Sequence, residues 1–252
     1  MRAVRRSNYP KDKLEIIVVD SSTDNTAKIA KKHADKVIVD RKSSKAAALN
    51  IGVRASKSDI LYFLDGDSVV ERNTIRTLVS GLSADYPVST GMLLMRRGKA
   101  LSLKISRIQN VFLFFLIQAW LSRFAKTNFV AGRNYAIYKS ELLKLGVFQD
   151  VVSEDINLSV RLYKGKKMAR YVPEAVVYEG GPQRVLDYWR QQERWYGGIS
   201  SEVRKAYKGI SVYDSVILMP SIMSVLFLPL MSVASLVLFA VIGSHIFGNC
   251  VV

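Results

Sequence analysis

The sequence predicts an α/β fold with a mostly parallel sheet, followed by a membrane segment at its C-terminal end. Three observations carry this prediction. Short β-branched runs alternate with short helical stretches, which is the pattern of right-handed β-α-β crossovers. The two clearest runs are residues 14–20, which are mostly apolar and end in Asp20, and residues 60–64, which are followed by Asp65. Residues 215–244 contain no charged side chain, and a membrane span needs only about 20 apolar residues.

Local signals place the elements of the N-terminal half. The turn cluster 21–26 starts the first helix, on which Ile29 is expected to face inward. Ser44 is expected to cap the second helix, which Gly52 ends. The predicted order is strand 14–20, helix 27–33, strand 37–39, helix 44–51, strand 60–64, helix 73–83 and strand 88–94.

The C-terminal half is predicted from the same periodicities. Residues 105–124 form a strongly apolar helix, but Gln109, Asn110 and Gln118 interrupt it and favour a buried or interfacial helix over a membrane span. The elements that follow are strand 132–138, helix 153–162, strand 169–172 and helix 182–197.

The charge of the chain points to an anionic partner. It has 252 residues, a formal net charge of +16 and a pI near 9.9. All charged residues lie in the first 214 positions. This balance suits nucleic acid, an anionic membrane surface or a phosphorylated substrate. The basic residues are dispersed and no stacking-aromatic motif interleaves them, which argues against nucleic acid. The single cysteine, Cys250, excludes an internal disulfide framework.

Two acids one residue apart follow the predicted strand 60–64. In open α/β sheets, ligands bind beyond the carboxyl ends of the strands, where Asp65 and Asp67 would stand, with Gly66 allowing a bend between them. Two carboxylates beside an anionic substrate are suitable ligands for Mg²⁺ or Mn²⁺. An ordinary turn is the alternative interpretation of this short motif.

The uncharged C-terminal stretch predicts an interfacial lead-in, kinked by prolines, and one membrane span over roughly 225–247. Basic residues lie on its N-terminal side, at Arg204, Lys205 and Lys208, and none follows it. The positive-inside rule therefore places the preceding domain in the cytoplasm, attached to the cell membrane.

Four motifs occur in order: Val-Val-Asp-Ser-Ser-Thr-Asp at 18–24, Asp-Gly-Asp at 65–67, Ser-Glu-Asp at 153–155 and Gln-Gln-Glu-Arg-Trp at 191–195. The ordered set resembles family 2 glycosyltransferases with the GT-A fold. Its Gln-x-x-Arg-Trp element is similar to that of the membrane-embedded branch that includes cellulose, chitin, hyaluronan and poly-N-acetylglucosamine synthases. The resemblance implies a Rossmann-like GT-A domain over residues 1–208 and an interfacial and transmembrane segment over 209–252.

The resemblance also implies roles for individual residues on the donor side. Asp20 would contact the nucleotide base or ribose, and Lys45 would offer a cation to the diphosphate. Asp65 and Asp67 match the metal-and-nucleotide pair of the family. Arg194 can direct two N–H donors onto phosphate oxygens.

On the acceptor side, Asp155 matches the catalytic base that takes a proton from the attacking hydroxyl. A single base without a protein nucleophile gives inversion in one displacement. Residues implied to support or bind the acceptor are Gly132, Asn134, Glu154, Gln191 and Trp195.

The sequence departs from the family pattern at its beginning. Residues 1–13 contain no β-branched run, although the resemblance implies a strand and most of a helix before residue 14. We therefore expect an N-terminally truncated domain in which one flank of the strand 14–20 is open.

The leading hypothesis is a membrane-bound inverting glycosyltransferase that uses a nucleotide-diphospho-sugar, expected to be a UDP-sugar. Its acceptor would be a polysaccharide or a lipid-linked sugar. Two alternatives remain open from the sequence: a non-processive transferase that acts on a polyprenyl phosphate, and a degenerate, non-catalytic basic membrane protein.

Overall fold

The computed structural model of the protein describes residues 1–111, 118, 119, 122 and 129–207. Most of the predicted apolar helix beyond residue 111, the segment 209–252 and the predicted span 225–247 lie outside these residues. Within the described part of the chain, no helix combines the length and the apolar character that a membrane crossing requires.

The described strands form two sheets. Strands β1 (Ile17–Asp20) and β2 (Lys36–Val39) make a two-stranded parallel sheet. The second sheet has the order β3-β6-β5-β7-β4. Its strands are β3 (Ile60–Phe63), β4 (Val69–Val70), β5 (Val88–Met95), β6 (Tyr135–Tyr138) and β7 (Ala169–Glu179).

The expectation of a mostly parallel sheet is wrong. Among the described pairings, β1–β2 and β5–β7 are parallel, whereas β3–β6, β5–β6 and β4–β7 are antiparallel. Two of the three antiparallel pairings arise from β6, which inserts between β3 and β5 and runs opposite to both, and the third comes from the short β4 against β7. An apolar run indicates that a strand is buried but not in which direction it runs.

The described helices surround these sheets. They are α1 (Arg2–Arg5), α2 (Thr26–Ala30), α3 (Lys45–Ala55), α4 (Thr74–Ser80), α5 (Leu101–Asn110), α6 (Lys139–Lys144), α7 (Glu154–Lys164) and α8 (Val185–Tyr207), with a 3₁₀ turn at Lys11–Lys13.

Two helix predictions are corrected by the structure and one is confirmed. Ser44 caps α3, its side chain accepting a hydrogen bond from the backbone N–H of Ala47. The helix continues through Gly52 to Ala55. Gly52 packs on β1, where a Cβ would lie 3.7 Å from the Val19 side chain, and this packing outweighs the low helix propensity of glycine. Ile29 is 53% exposed rather than inward-facing, and Ala30 supplies the buried face of the short α2.

Asn134 joins three strands of the larger sheet. The β5–β7 register shifts between Gly91 and Met92, which leaves carbonyl groups beside the irregularity. The fully buried amide of Asn134 donates to the carbonyl oxygens of Met92 at 3.0 Å and Ala175 at 2.8 Å. Its oxygen accepts a hydrogen bond from the hydroxyl of Tyr62 at 3.1 Å. Asn134 therefore fills the irregularity between β5 and β7 from the start of β6, with a φ of 64°.

Strand β1 pairs only with β2 among the described strands. Residues 16–19 and residues 60–63 both line a single cavity of about 1200 Å³. This cavity contains the candidate site.

Candidate active site

Most of the predicted site residues line that cavity, although they come from distant parts of the chain. Their positions are the start of α3, the loop after β3, the loop before β6, the N-terminus of α7 and the middle of α8. The residues it brings together are Lys45, Asp65, Asp67, Gly132, Glu154, Asp155, Arg194 and Trp195. Asp20, Asn134 and Gln191 are not part of its lining.

Asp20 ends β1 beside the cavity and is 5% exposed. Its Oδ1 accepts hydrogen bonds from the backbone N–H of Ser22 at 3.1 Å and from the Ser22 hydroxyl at 2.8 Å. Its Oδ2 is buried and has no hydrogen-bond partner among the described residues. A buried carboxylate oxygen without a partner costs stability unless a ligand donor reaches it.

Asp65 and Asp67 follow the carboxyl end of β3, as the sequence predicted. Asp65 lies between two cations: its Oδ1 is 3.7 Å from Lys45 Nζ, and its Oδ2 is 3.5 Å from Arg133 Nη1. Asp67 is exposed. A Cβ at Gly66 would meet nothing within 4 Å, so crowding does not require glycine there.

The two carboxylates fit a divalent ion that bridges protein and phosphate. In the described part of the chain, no group of three His, Cys, Asp or Glu residues is placed to hold a metal. Mg²⁺ commonly takes only one or two carboxylates and completes its coordination with water and substrate phosphates. The ion pairs of Asp65 are longer than strong charge-assisted hydrogen bonds, so its oxygens retain lone pairs for a metal ion.

The N-terminus of α7 carries two acids with different surroundings. Glu154 is buried and its Oε1 lies 2.7 Å from Lys45 Nζ. Burial alone would lower the pKa of Lys45, but Asp65 and Glu154 outweigh it and hold that pKa above its ordinary value. Burial, and then the charge of Glu154, raise the pKa of Asp155. Asp155 is therefore a stronger base than an exposed aspartate.

Glycine 132 makes room for Asp155. A Cβ built on Gly132 would lie 2.6 Å from Asp155 Oδ2 and 3.0 Å from its Cγ. Any side chain at this position would displace the carboxylate. Gly198 on α8 makes a second close approach, to Ser153 at the start of α7. A Cβ at Gly198 would lie 2.0 Å from the Ser153 hydroxyl oxygen, so glycine allows the two helices to pack this closely.

The predicted acceptor residues separate into three groups. Glu154 and Trp195 face the cavity and Gly132 shapes it. Gln191 carries a buried Oε1 with no hydrogen-bond partner in the described structure. Asn134 differs, because both its amide groups are bonded inside the sheet and it is fully buried. Its side chain has no free group to offer a ligand in this structure, and we leave it out of the proposed acceptor site.

Two residues that contact the site were missed from the sequence, Arg133 and Glu179. Arg133 pairs with Asp65 and, through its Nε, with buried Glu179 at the end of β7. Its guanidinium carbon also lies 5.8 Å from the ring centroid of Trp195, within cation–π range. Burial raises the pKa of Glu179 to about 7, against the opposing charge of Arg133. No signal in the sequence pointed to Glu179, because the predicted strand 169–172 ends before it, whereas β7 continues to Glu179.

Helix α8 supplies the remaining cation and the flat ring. Arg194 is exposed and makes no ion pair with a described residue, so its guanidinium is available to an anionic ligand. Trp195 lies on the cavity wall next to it. The cavity thus brings together the buried carboxyl group of Asp155, the Asp65–Asp67 pair and three cations.

Comparison with known proteins gives consistent matches. A family model described as glycosyl transferase family group 2 matches residues 60–250. A probable glycosyltransferase of Bacillus subtilis, YdaM, is 29% identical over 212 residues, covering 79% of this chain and 50% of that protein. The poly-β-1,6-N-acetyl-D-glucosamine synthase of Staphylococcus aureus is 28% identical over 196 residues, covering 74% of this chain and 48% of the synthase. The chain thus spans about half the length of these curated relatives.

Solved structures show the same fold at low sequence identity. The mannosyltransferase PcManGT from Pyrobaculum calidifontis, solved with GDP-Man and Mn²⁺, has a TM-score of 0.69 at 22% identity, with 95% of this chain and 70% of that chain covered. Residues 1–349 of TarS from S. aureus, solved with UDP-GlcNAc, give a TM-score of 0.59 at 14% identity, covering 88% and 66% of the two chains. The mixed α/β architecture described above is therefore GT-A-like.

Proposed function

Because the chain belongs to glycosyl transferase family group 2, we propose that it transfers a sugar from a UDP-sugar to a hydroxyl of a polysaccharide or lipid-linked acceptor, with inversion. The observation that carries this proposal is the placement of Asp155 in one cavity with the Asp65–Asp67 pair, connected through Lys45 and Glu154. A base and a leaving-group site that share one cavity are what a single displacement requires.

The donor would occupy the side of the cavity between β1 and β3. We assign the nucleoside to Asp20, which ends β1 beside the cavity and whose Oδ2 has no hydrogen-bond partner among the described residues. Lys45, Arg133 and Arg194 offer positive charge to the diphosphate. A Mg²⁺ or Mn²⁺ ion held by Asp65 and Asp67 would, when bound, neutralise charge on the leaving diphosphate. The GDP-Man and Mn²⁺ in the PcManGT structure and the UDP-GlcNAc in the TarS structure support a nucleotide-sugar donor with a metal in this fold.

The chemical step is a single displacement at the anomeric carbon. The acceptor oxygen forms a bond to this carbon while the bond from the carbon to the phosphate oxygen breaks. Asp155 takes the acceptor proton, and the nucleoside diphosphate leaves with the bonding electrons. The raised pKa of Asp155 makes the carboxylate a more effective proton acceptor, and Trp195 would orient the acceptor sugar by stacking.

We place this activity at the cell membrane, with the catalytic domain on the cytoplasmic side. The support comes from the uncharged stretch 215–244 and from the basic residues that precede it. The name of the S. aureus relative, a poly-β-1,6-N-acetyl-D-glucosamine synthase, puts UDP-N-acetylglucosamine first among donors to test.

The test is a screen of radiolabelled UDP- and GDP-sugars on membranes that contain the full chain, with and without EDTA. We expect transfer from a UDP-sugar that EDTA abolishes. Asp155→Asn should lower transfer by at least about 10²-fold, the low end for loss of a general base, while UDP binding is retained. Asp85→Asn, at an exposed position outside the cavity, is the matched control.

Each part of the proposal has its own contrary result. Transfer from GDP-sugars alone would contradict the donor assignment. Equal loss of UDP binding and transfer in Asp155→Asn would move Asp155 to the donor site. Transfer only to polyprenyl phosphate would replace the acceptor assignment, and no transfer from any donor would contradict the catalytic proposal.

A further inference from the structure

Helix α5 buries a polar face against α8. Its buried polar residues, Ser102, Ser106, Gln109 and Asn110, recur at the three- and four-residue spacing of one helix face. Some of their groups are bonded to α8 and its lead-in. The Ser102 hydroxyl donates to the Pro182 carbonyl at 2.8 Å. These contacts fix α5 beside the helix that carries Arg194 and Trp195.

Gln109 connects the two helices through its side-chain amide. Its Nε2 donates to Gln192 Oε1 at 2.9 Å, and its Oε1 accepts from the Tyr188 hydroxyl at 3.2 Å. Both polar atoms of this amide are bonded to protein partners. It holds the neighbouring residue, Asn110, in a defined position at the end of α5.

Asn110 and Gln118 are bonded differently from Gln109. They are 2% and 4% exposed, and the amide nitrogens of both lack a hydrogen-bond partner in the described part of the structure. Both residues line the cavity that also contains Asp155 and Trp195. Buried amides without partners cost stability, and natural proteins keep few of them without a functional reason. Their place on the cavity wall provides such a reason.

The chemistry of these groups selects the ligand. Carboxamide N–H groups are neutral donors that match hydroxyl and acetamido oxygens, and an indole face stacks on a pyranose ring. A phosphate would gain more from the cation Lys45, which pairs with Asp65 and Glu154. We propose that Asn110 and Gln118, with Trp195, form a subsite that binds an uncharged sugar unit of the acceptor. This inference rests on the proposed function and adds two specificity residues to it.

The test measures acceptor binding without turnover, on the full chain in detergent. The probe is a β-1,6-linked N-acetylglucosamine tetrasaccharide, with an anionic hyaluronan tetrasaccharide for comparison. The variants are Asn110→Leu and Gln118→Met, which keep the shape and remove the amide. Asn8→Leu, at an exposed position that does not line the cavity, is the matched control.

We expect Asn110→Leu and Gln118→Met each to weaken binding of the neutral tetrasaccharide about tenfold, the usual effect of losing one hydrogen bond. UDP affinity in the presence of Mn²⁺ should be unchanged. The Tm of both variants should equal or exceed that of the wild type, because an unpaired buried amide has been removed. A retained Tm also shows that the variants fold.

Three results would overturn the subsite. The first is wild-type affinity of both variants for the neutral tetrasaccharide, as expected if buried water satisfies the amides. The second is a wild-type chain that prefers the anionic tetrasaccharide. The third is an equal loss in Asn8→Leu. A wild-type chain that binds the neutral tetrasaccharide through these amides but transfers no sugar would support the subsite and contradict the proposed function.

Discussion

Gly132→Ala tests whether the position of Asp155 limits the reaction. Ordinary van der Waals contact begins at 3.4 Å, and the new Cβ would lie 2.6 Å from Asp155 Oδ2, so the carboxylate must move by about 0.8 Å (3.4 − 2.6). A misplacement near 1 Å costs about 10²-fold in rate. The overpacking should also lower the free energy of unfolding by about 1–3 kcal/mol.

The assay compares kcat, UDP affinity and Tm of Gly132→Ala with those of Gly197→Ala. A Cβ at Gly197 meets nothing within 4 Å, and alanine in the helix should add up to about 1 kcal/mol of stability without changing turnover. We expect Gly132→Ala to lose about 10²-fold in kcat and to keep its UDP affinity. Wild-type kcat in Gly132→Ala, or a loss of UDP affinity equal to the loss of kcat, would refute this reasoning.

Three further predictions concern the remaining groups of the site. Asp65→Ala or Asp67→Ala should abolish Mn²⁺-dependent UDP binding measured by calorimetry; UDP affinity that neither mutation nor EDTA changes would contradict the metal assignment. Arg194→Lys should lose transfer as Arg194→Ala does, because a point charge cannot replace the planar guanidinium. Wild-type turnover in both variants would remove Arg194 from the site. The charge of Glu154 raises the pKa of Asp155, so Glu154→Gln should lower this pKa and shift the acid limb of the kcat–pH profile to lower pH. A limb that stays in place or moves to higher pH would show that another group limits the rate.

The sequence predicted the local features of this site well. Short apolar runs between helical stretches located β1, β2 and β3, and the acids after β3 line the cavity as expected. Ser44 was recognised as a cap because capping depends on a few adjacent residues. These features depend on residues that are close together in the sequence, which is the range over which the pattern of a single sequence is informative.

Long-range features could not be predicted in the same way. The ion pair between Arg133 and Glu179 joins residues that are distant in sequence, and nothing near either residue indicates the other. The insertion of β6 between β3 and β5 depends on packing rather than on its own apolar pattern. Asn134 was assigned to the acceptor because it matches a segment that the family resemblance places near the acceptor, but in the structure, at a φ of 64°, its amide bonds inside the sheet.

The bonding of Asn134 also has a consequence for how the domain folds. Before Asn134 is in place, the carbonyl groups of Met92 and Ala175 near the register shift lack the hydrogen bonds that its side-chain amide donates to them. Pairing of β5 with β7 is therefore completed only when β6 docks, so the three strands form one cooperative unit. Since this unit joins segments from residue 88 to residue 179, its contacts are far apart in the sequence, which predicts that these strands form slowly.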